Sequence, residues 1–389
     1  MSRPGPWPRG ALWRAALVLW LASSPVHAAG WSEEKSGKAD AMIARFLERL
    51  DREAPDLPKA ALVFGVATAD GLVAAKGYRE AAPGIPATAH TVYHVGSLAK
   101  QFTAAAVLDL IDRHAALRDR TPLTLDLALS RVFAGVQHWP GAGATQGEQP
   151  VTLRSLLTMT SNLPNFTRLP PPSTDPWGRI AAPDLLSEIK RFNPSGWPNT
   201  FEYSNTSYFL LAEMIEEAVL PGEAGPMPHR DYLRRAIFPR AHLAETGFVG
   251  DPAPGSVEAV AIHRRPRVFD QPDWLKGSAD IASSVADMAA WNEALMSGRM
   301  LPDGSRAEML GDGARVTPDI YYGMGWFIEH KGREDIYSHS GFVPGFTSYN
   351  VIAADAAAST WMSITVLVNT DVPEGMETLA RDLLQLARD

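Results

Sequence analysis

Residues 61–78 read ALVFGVATADGLVAAKGY, two apolar runs on either side of Ala69-Asp70-Gly71. That pattern predicts two strands joined by a tight turn. Just before it, AMIARFLERL places Ile43, Phe46, Leu47 and Leu50 at helical spacing. From Ser97 to about Met300 the apolar positions recur mostly with helical period, interrupted by Pro-rich loops at 168–178, 193–199 and 251–255. The last quarter returns to strands. YGMGWFIEH and DIYSHSGF flank a Lys-Gly-Arg-Glu turn, TSYNVIAAD and WMSITVLVN follow, and the amphipathic METLARDLLQLAR closes the chain. Strands at both ends with helices between them predict an α+β fold. One antiparallel sheet is built from both termini, helices flank it, and a mostly helical second lobe packs beside it. The expected boundaries are a sheet lobe over about 37–96 and 301–389 and a helical lobe over about 97–300. A cleft between two lobes is a common place for a small-molecule site.

The N-terminus changes the picture of where the protein acts. Arg3, Arg9 and Arg14 precede and enter a short apolar core, Ala15 to Ala22, and Val26-His27-Ala28 has the form of a small-residue cleavage site. Residues 1–28 therefore read as a secretory signal, leaving 29–389 as the working domain in the periplasm or outside the cell. The apolar run is too short for a membrane anchor, so no stable membrane insertion is expected after cleavage. Losing three arginines and no acids takes the net charge from −8 to −11. A surface that acidic is a poor partner for nucleic acid. The 389 residues contain no cysteine, which removes disulfides, thiol nucleophiles and zinc–thiolate sites.

Ser-x-x-Lys occurs three times: Ser32–Lys35, Ser97–Lys100 and Ser187–Lys190. The first lies in the polar tail after the signal, and the third lies on a solvated helix face in DLLSEIKRF. Only Ser97, in HVGSLAKQFTAAAVLDLID, follows a glycine and opens an apolar helix. Residues three apart on a helix are neighbours, so Lys100 can reach Ser97. The unpaired N–H groups of a helix start favour developing negative charge. A helix-capping serine beside an exposed lysine would give the same letters. Tyr-x-Asn occurs once, at Tyr203 and Asn205, between a Pro/Gly loop and a helix. A tyrosine beside a cationic lysine loses its proton more easily and could serve as a general base, while an asparagine amide can hold a carbonyl or order a lysine. A core tyrosine and a turn asparagine are the plain alternative. His339-Ser340-Gly341 sits in a strand-like run, where a glycine permits the close backbone approach expected of an edge strand lining a cleft. His90 and His94 are four apart but on a predicted strand, too far apart for a metal pair.

Taken together, Ser97-x-x-Lys100, Tyr203-Ser204-Asn205 and His339-Ser340-Gly341 resemble the three motifs of the serine β-lactamase and penicillin-binding-protein superfamily. The likeness is to its class C-like branch of AmpC-type β-lactamases, D-peptidases and β-lactamase-like esterases. TLRSLLTMTSNLPNF, SSVADMAAWNEALMSG and YGMGWF resemble further family segments in the right order. The resemblance implies a covalent acyl-enzyme at Ser97, with Lys100 helping to deprotonate it and Tyr203 as main general base. It also implies Asn205 orienting substrate and Lys100, and an oxyanion hole formed by the N–H groups of Ser97 and Phe342, beside Gly341. No metal or organic cofactor is implied. His339 stands where lactamases carry a lysine, which favours hydrolysis of esters or D-amino-acid amides and peptides over β-lactams or cell-wall peptides. The partner is then a small-molecule or peptide acyl substrate. Two departures from the family pattern, Asn162 and Ala279-Asp280, are expected to reshape the cleft rim. A non-catalytic binding or sensing protein with the same fold remains the rival of another class. A Ser-His-Asp hydrolase is a weaker one, because the chain has no Gly-x-Ser-x-Gly elbow.

Overall fold

The computed structural model describes residues 26–27, 31–141, 150–168, 182–195, 197, 199–264, 273–355, 359–372 and 374–389. Most of the expected signal segment, its cleavage position and most of the 168–178 loop lie outside the described residues. In chain order the elements that position the site are α1 (Glu33–Glu53), β1 (Leu62–Thr68), β2 (Gly71–Tyr78), β3 (Thr91–His94), α2 (Ala99–Asp112), α3 (Asn205–Ile215), β4 (Ile281–Ser283), α4 (Val285–Met296), β5 (Ile320–Tyr322), β6 (Phe327–Lys331), β7 (Glu334–Val343), β8 (Phe346–Asp355), β9 (Thr360–Val368) and α5 (Met376–Arg388).

The main sheet runs Val26–His27, β2, β1, β9, β8, β7, β6, β5, Ala314–Arg315. All of its pairings are antiparallel. The two ends of the chain meet at its centre, where Gly65 on β1 lies opposite Thr365 on β9. Alternation along the strands divides the side chains between two cores. Leu62, Phe64 and Val66 of β1 and Val351 and Ala353 of β8 pack under α1 and α5, against Ile43, Leu47, Leu379 and Leu383. Val63 and Ile352 point the other way, into the larger core that holds α2, α3 and α4. Both outer helices are amphipathic, as their spacing requires. α1 starts at Ser32, whose hydroxyl accepts from the Lys35 backbone N–H, with Glu33 and Glu34 in the first turn.

The expected lobes need one correction. β1 and β2 join the main sheet, but β3 does not. It pairs antiparallel with β4 and parallel with Val257–Glu258, in a separate four-stranded sheet completed by Gly247–Phe248. The chain just before Ser97 is therefore held by segments from the middle of the sequence. Among the described residues, no helix is long and apolar enough to cross a membrane.

Candidate active site

Ser97 lies in a 3-10 turn, Gly96–Leu98, that runs directly into α2. Gly96 has φ +55°, and a Cβ there would come within 2.5 Å of the Phe342 backbone nitrogen. On the strand side, a Cβ on Gly341 would lie 2.0 Å from the Val95 carbonyl oxygen and 2.1 Å from Ser348 Oγ. The two glycines thus let the loop before Ser97 rest on β7, which brings the residue 342 amide beside residue 97. β7 itself is an interior strand, between β6 and β8, so the expected edge-strand placement of His339-Ser340-Gly341 does not hold. The close approach comes from a loop lying across the strand.

Lys100 is fully buried. Its Nζ lies 3.0 Å from Ser97 Oγ, 2.8 Å from Asn205 Oδ1 and 2.9 Å from the Ser278 carbonyl oxygen. The ammonium is also 5.0 Å from the centre of the Tyr203 ring and 5.7 Å from that of Tyr208. Burial holds the Lys100 pKa well below the ordinary lysine value. A neutral amine keeps two N–H donors and one lone pair. Were Lys100 neutral, with Asn205 Oδ1 and Ser278 O taking its two N–H groups, its lone pair would face Ser97 Oγ.

Tyr203 is half-buried, with its phenol near the Ser97 hydroxyl. Its ring stacks 6.5 Å from Phe327, with Tyr322 at 6.3 Å and His339 at 5.9 Å. Its phenol shifts opposite to the sequence-based expectation. Burial raises the Tyr203 pKa above the ordinary tyrosine value, more than the Ser97 hydroxyl lowers it. Burial therefore pushes both Lys100 and Tyr203 towards their neutral forms.

Asn205 begins α3 and is held from three sides. Its N–H donates to Asn165 Oδ1, its Nδ2 donates to Thr167 Oγ1, and its Oδ1 accepts from Lys100. Asn162 is buried in the left-handed region at φ +54°, where asparagine is tolerated in place of glycine. Its Nδ2 donates to the Trp197 carbonyl at 2.8 Å.

His339 lies beneath the surface, 1% exposed. Nδ1 lies 2.6 Å from the Ser340 carbonyl and Nε2 lies 3.3 Å from the Tyr322 hydroxyl. Both ring nitrogens are engaged within the protein, so the imidazole orders β7 from below rather than reaching into the cleft. Burial, with the nearby Lys100 adding to it, lowers its pKa to about 3, and the ring is neutral near pH 7. The residues beside it that face solvent are Ser340 and Phe342, the latter 50% exposed.

The sequence motifs therefore converge on one cluster. Three partners carried no motif: the Ser278 carbonyl, and the Asn165 and Thr167 side chains. A backbone acceptor leaves no mark in the letters, and Asn-x-Thr after a proline reads as an ordinary loop. The other two Ser-x-x-Lys pairs lie elsewhere. Ser32 is the cap of α1, and Ser187 is exposed on Ala182–Ile189.

Residues 47–389 match the family described as Beta-lactamase. PbpX of Bacillus subtilis (strain 168), a penicillin-binding protein by name, is 27% identical over 266 residues, covering 67% of this chain and 58% of that protein. A D-aminopeptidase of Brucella anthropi is 26% identical over 289 residues, covering 70% of this chain and 49% of that one. The chain thus spans only half to three fifths of the length of these curated relatives. Among solved structures, D-amino acid amidase from Ochrobactrum anthropi SV3 superposes with a TM-score of 0.66 at 21% identity, over 90% of this chain and 99% of that one. A class C beta lactamase from Rhodobacter sphaeroides gives the same TM-score and identity, over 90% of this chain and 100% of that one. The match over nearly the whole folded part, on a sheet closed by both chain ends, places this protein in the Beta-lactamase family.

Proposed function

We propose that the protein is a serine hydrolase that works through a covalent acyl-enzyme on Ser97. Its substrates are esters, D-amino-acid amides or short D-peptides. The observation that carries this reading is the Lys100 amine, buried and held by Asn205 and Ser278 with Ser97 Oγ as its remaining neighbour at 3.0 Å. In the first step Lys100 takes the Ser97 proton and Oγ attacks the acyl carbon. The oxyanion is met by the N–H groups of residues 97 and 342, an arrangement that typically supplies a few kcal/mol per donor. Tyr203 gives its hydroxyl proton to the leaving oxygen or nitrogen and is reprotonated from Lys100. In the second step the same pair removes a proton from water, which attacks the ester and returns Ser97 to its starting form.

The preference for uncharged acyl substrates rests on His339. A lysine at this place would present a cation to a substrate carboxylate, whereas the neutral, buried imidazole offers no free donor. The names of the similar D-aminopeptidase and D-amino acid amidase agree with a D-amino-acid substrate. We further propose that residues 1–28 direct export to the periplasm or beyond, which the mass of the secreted chain would test.

The deciding experiment labels purified protein with a fluorescent fluorophosphonate. It then screens short-chain nitrophenyl esters, D-amino-acid anilides and nitrocefin. Labelling that is lost in Ser97→Ala, with turnover of esters or D-anilides, is expected. An unlabelled wild type would favour the non-catalytic binding protein, and nitrocefin as best substrate would favour a β-lactamase.

A further inference from the structure

Asp280, one of the two departures from the family pattern, is not on the cleft rim. It is fully buried, at the end of the turn whose Ser278 carbonyl meets Lys100. Its Oδ1 accepts from the Gly277 N–H at 3.0 Å, closing the four-residue turn 277–280. Its Oδ2 has no hydrogen-bond partner and lies 3.6 Å from Arg230 Nε. Burying a carboxylate is costly unless it is hydrogen-bonded and paired, and here one oxygen accepts from the Gly277 N–H while the other lies near Arg230.

Two successive carbonyls of this turn land on α2. The Gly277 oxygen accepts from Thr103 Oγ1 at 2.8 Å, and the Ser278 oxygen accepts from Lys100 Nζ at 2.9 Å. Residues 100 and 103 are one helical turn apart, so the two carbonyls are spaced to match one face of α2. Gly277 reaches this position with φ +66°, against α3, where a Cβ would lie 2.6 Å from the Tyr208 carbonyl oxygen. The preceding residue, Lys276, is clamped to Glu213 and Glu216 at 2.7 Å each. The charged and titratable groups around Asp280 are Arg230, its neighbour His229, and Lys276 with its two glutamates.

Resting on the serine-hydrolase reading above, we propose that Asp280 is a positioning residue for acyl transfer. Its carboxylate fixes the 277–280 turn, and the Ser278 carbonyl of that turn holds Lys100 so that its lone pair faces Ser97. Asp280 does not touch the reacting atoms. Its effect passes through one backbone carbonyl and falls on the proton-transfer step, not on substrate binding. Burial raises the Asp280 pKa to about 6 against the opposing pull of Arg230. Below that pH the carboxyl loses its charge and its hold on Arg230, so activity falls as pH drops through this range.

The test measures the fluorophosphonate labelling rate of Ser97 from pH 5 to 9 in wild type, Asp280→Asn and Asp280→Ala, with Ser97→Ala as control. Asp280→Ala loses the acceptor for Gly277, and its rate should fall about tenfold or more, as misplacement of a catalytic group by a fraction of an ångström does. Asp280→Asn keeps an acceptor and no longer titrates. It should therefore behave as the protonated acid does, labelling at pH 8 at the reduced rate that wild type reaches below about pH 6, and the part of the acid limb due to Asp280 should be missing. An ion pair that only stabilised the fold would lower Tm and leave the limb in place. Wild-type rates in both variants, or an unmoved acid limb in Asp280→Asn, overturns the proposal. If Asp280→Ala does not fold, the Asp280→Asn limb decides alone. Wild type that fails to label, or Ser97→Ala that still labels, removes the underlying serine reading and this inference with it.

Discussion

Ser32–Lys35 and Ser97–Lys100 have the same spacing and opposite fates. Ser32 stands before its helix in extended conformation, φ −81° and ψ 164°, so its hydroxyl turns to the Lys35 backbone N–H. Lys35 Nζ reaches away to the Ala387 carbonyl, near the end of α5. Ser97 is already inside a helical turn, so its side chain and that of Lys100 lie on one face, 3.0 Å apart. The first lysine is at the surface and the second has no contact with water. Three-residue spacing lets a serine and a lysine meet. Burial, and the acceptors at Asn205 and Ser278, are what set the second lysine apart.

Breaking the pair at residue 97 should have the largest effect. Ser97→Ala should abolish labelling and turnover with little change in Tm, whereas Ser32→Ala and Ser187→Ala should label at the wild-type rate. Labelling that survives Ser97→Ala and disappears in Ser187→Ala would reverse the comparison. Tyr203→Phe should lower kcat by roughly 10² to 10⁴, the usual contribution of a placed proton donor. A loss under threefold on a good substrate would leave proton transfer to Lys100 alone. His339→Lys sharpens the contrast between a buried and an exposed cation. For a matched substrate pair, one with a free carboxylate and one as its methyl ester, wild type should prefer the ester and the variant should shift kcat/KM towards the acid. An unchanged ratio would reduce His339 to packing.

Stability against pH follows from the same burial. His339, His229 and His94 have folded pKa values of about 3, 3 and 4, each lowered mainly by burial. Between about pH 6.5 and 4 the unfolded chain takes up protons that the folded one refuses, so stability falls as pH drops, by about 1.4 kcal/mol per unit for each histidine. Asp280, with its folded pKa raised to about 6, offsets one of these. Urea denaturation at pH 7 and pH 5 should show the loss, and a flat profile would place these rings in water. The smallest effect is expected at the outer serine. Ser32→Ala should cost about 1 kcal/mol of stability through the lost cap, with activity unchanged.

The sequence made the main sheet legible because its strands are long and, as in β1, β8 and β9, buried over most of their length. The second sheet was hidden because its strands are only two to four residues, too short for a period to show. In the site, side chains with a chemical signature stood out in the letters: Ser97, Lys100, Tyr203, Asn205. What tunes them did not. The direction of the Tyr203 shift depends on packing by Phe327 and Tyr322, more than 100 residues away in the chain. The place of Asp280 depends on a turn folding onto α2. Its one visible sign was an acid among small residues just before an apolar strand, which fitted the rim as well as the interior.

The pairing of β1 with β9 has a consequence for how the molecule is made. Residue 65 waits for a partner some 300 residues further along the chain. At about 5–20 residues per second of synthesis, that delay is roughly 15–60 s. During it, β1 pairs only with β2 and keeps its other edge open, and so small a set of strands is barely stable in water. The strand that carries Gly341 and Phe342 also emerges late. A chain stopped before β9 therefore lacks more than its last strand: its first two strands have nothing to close against.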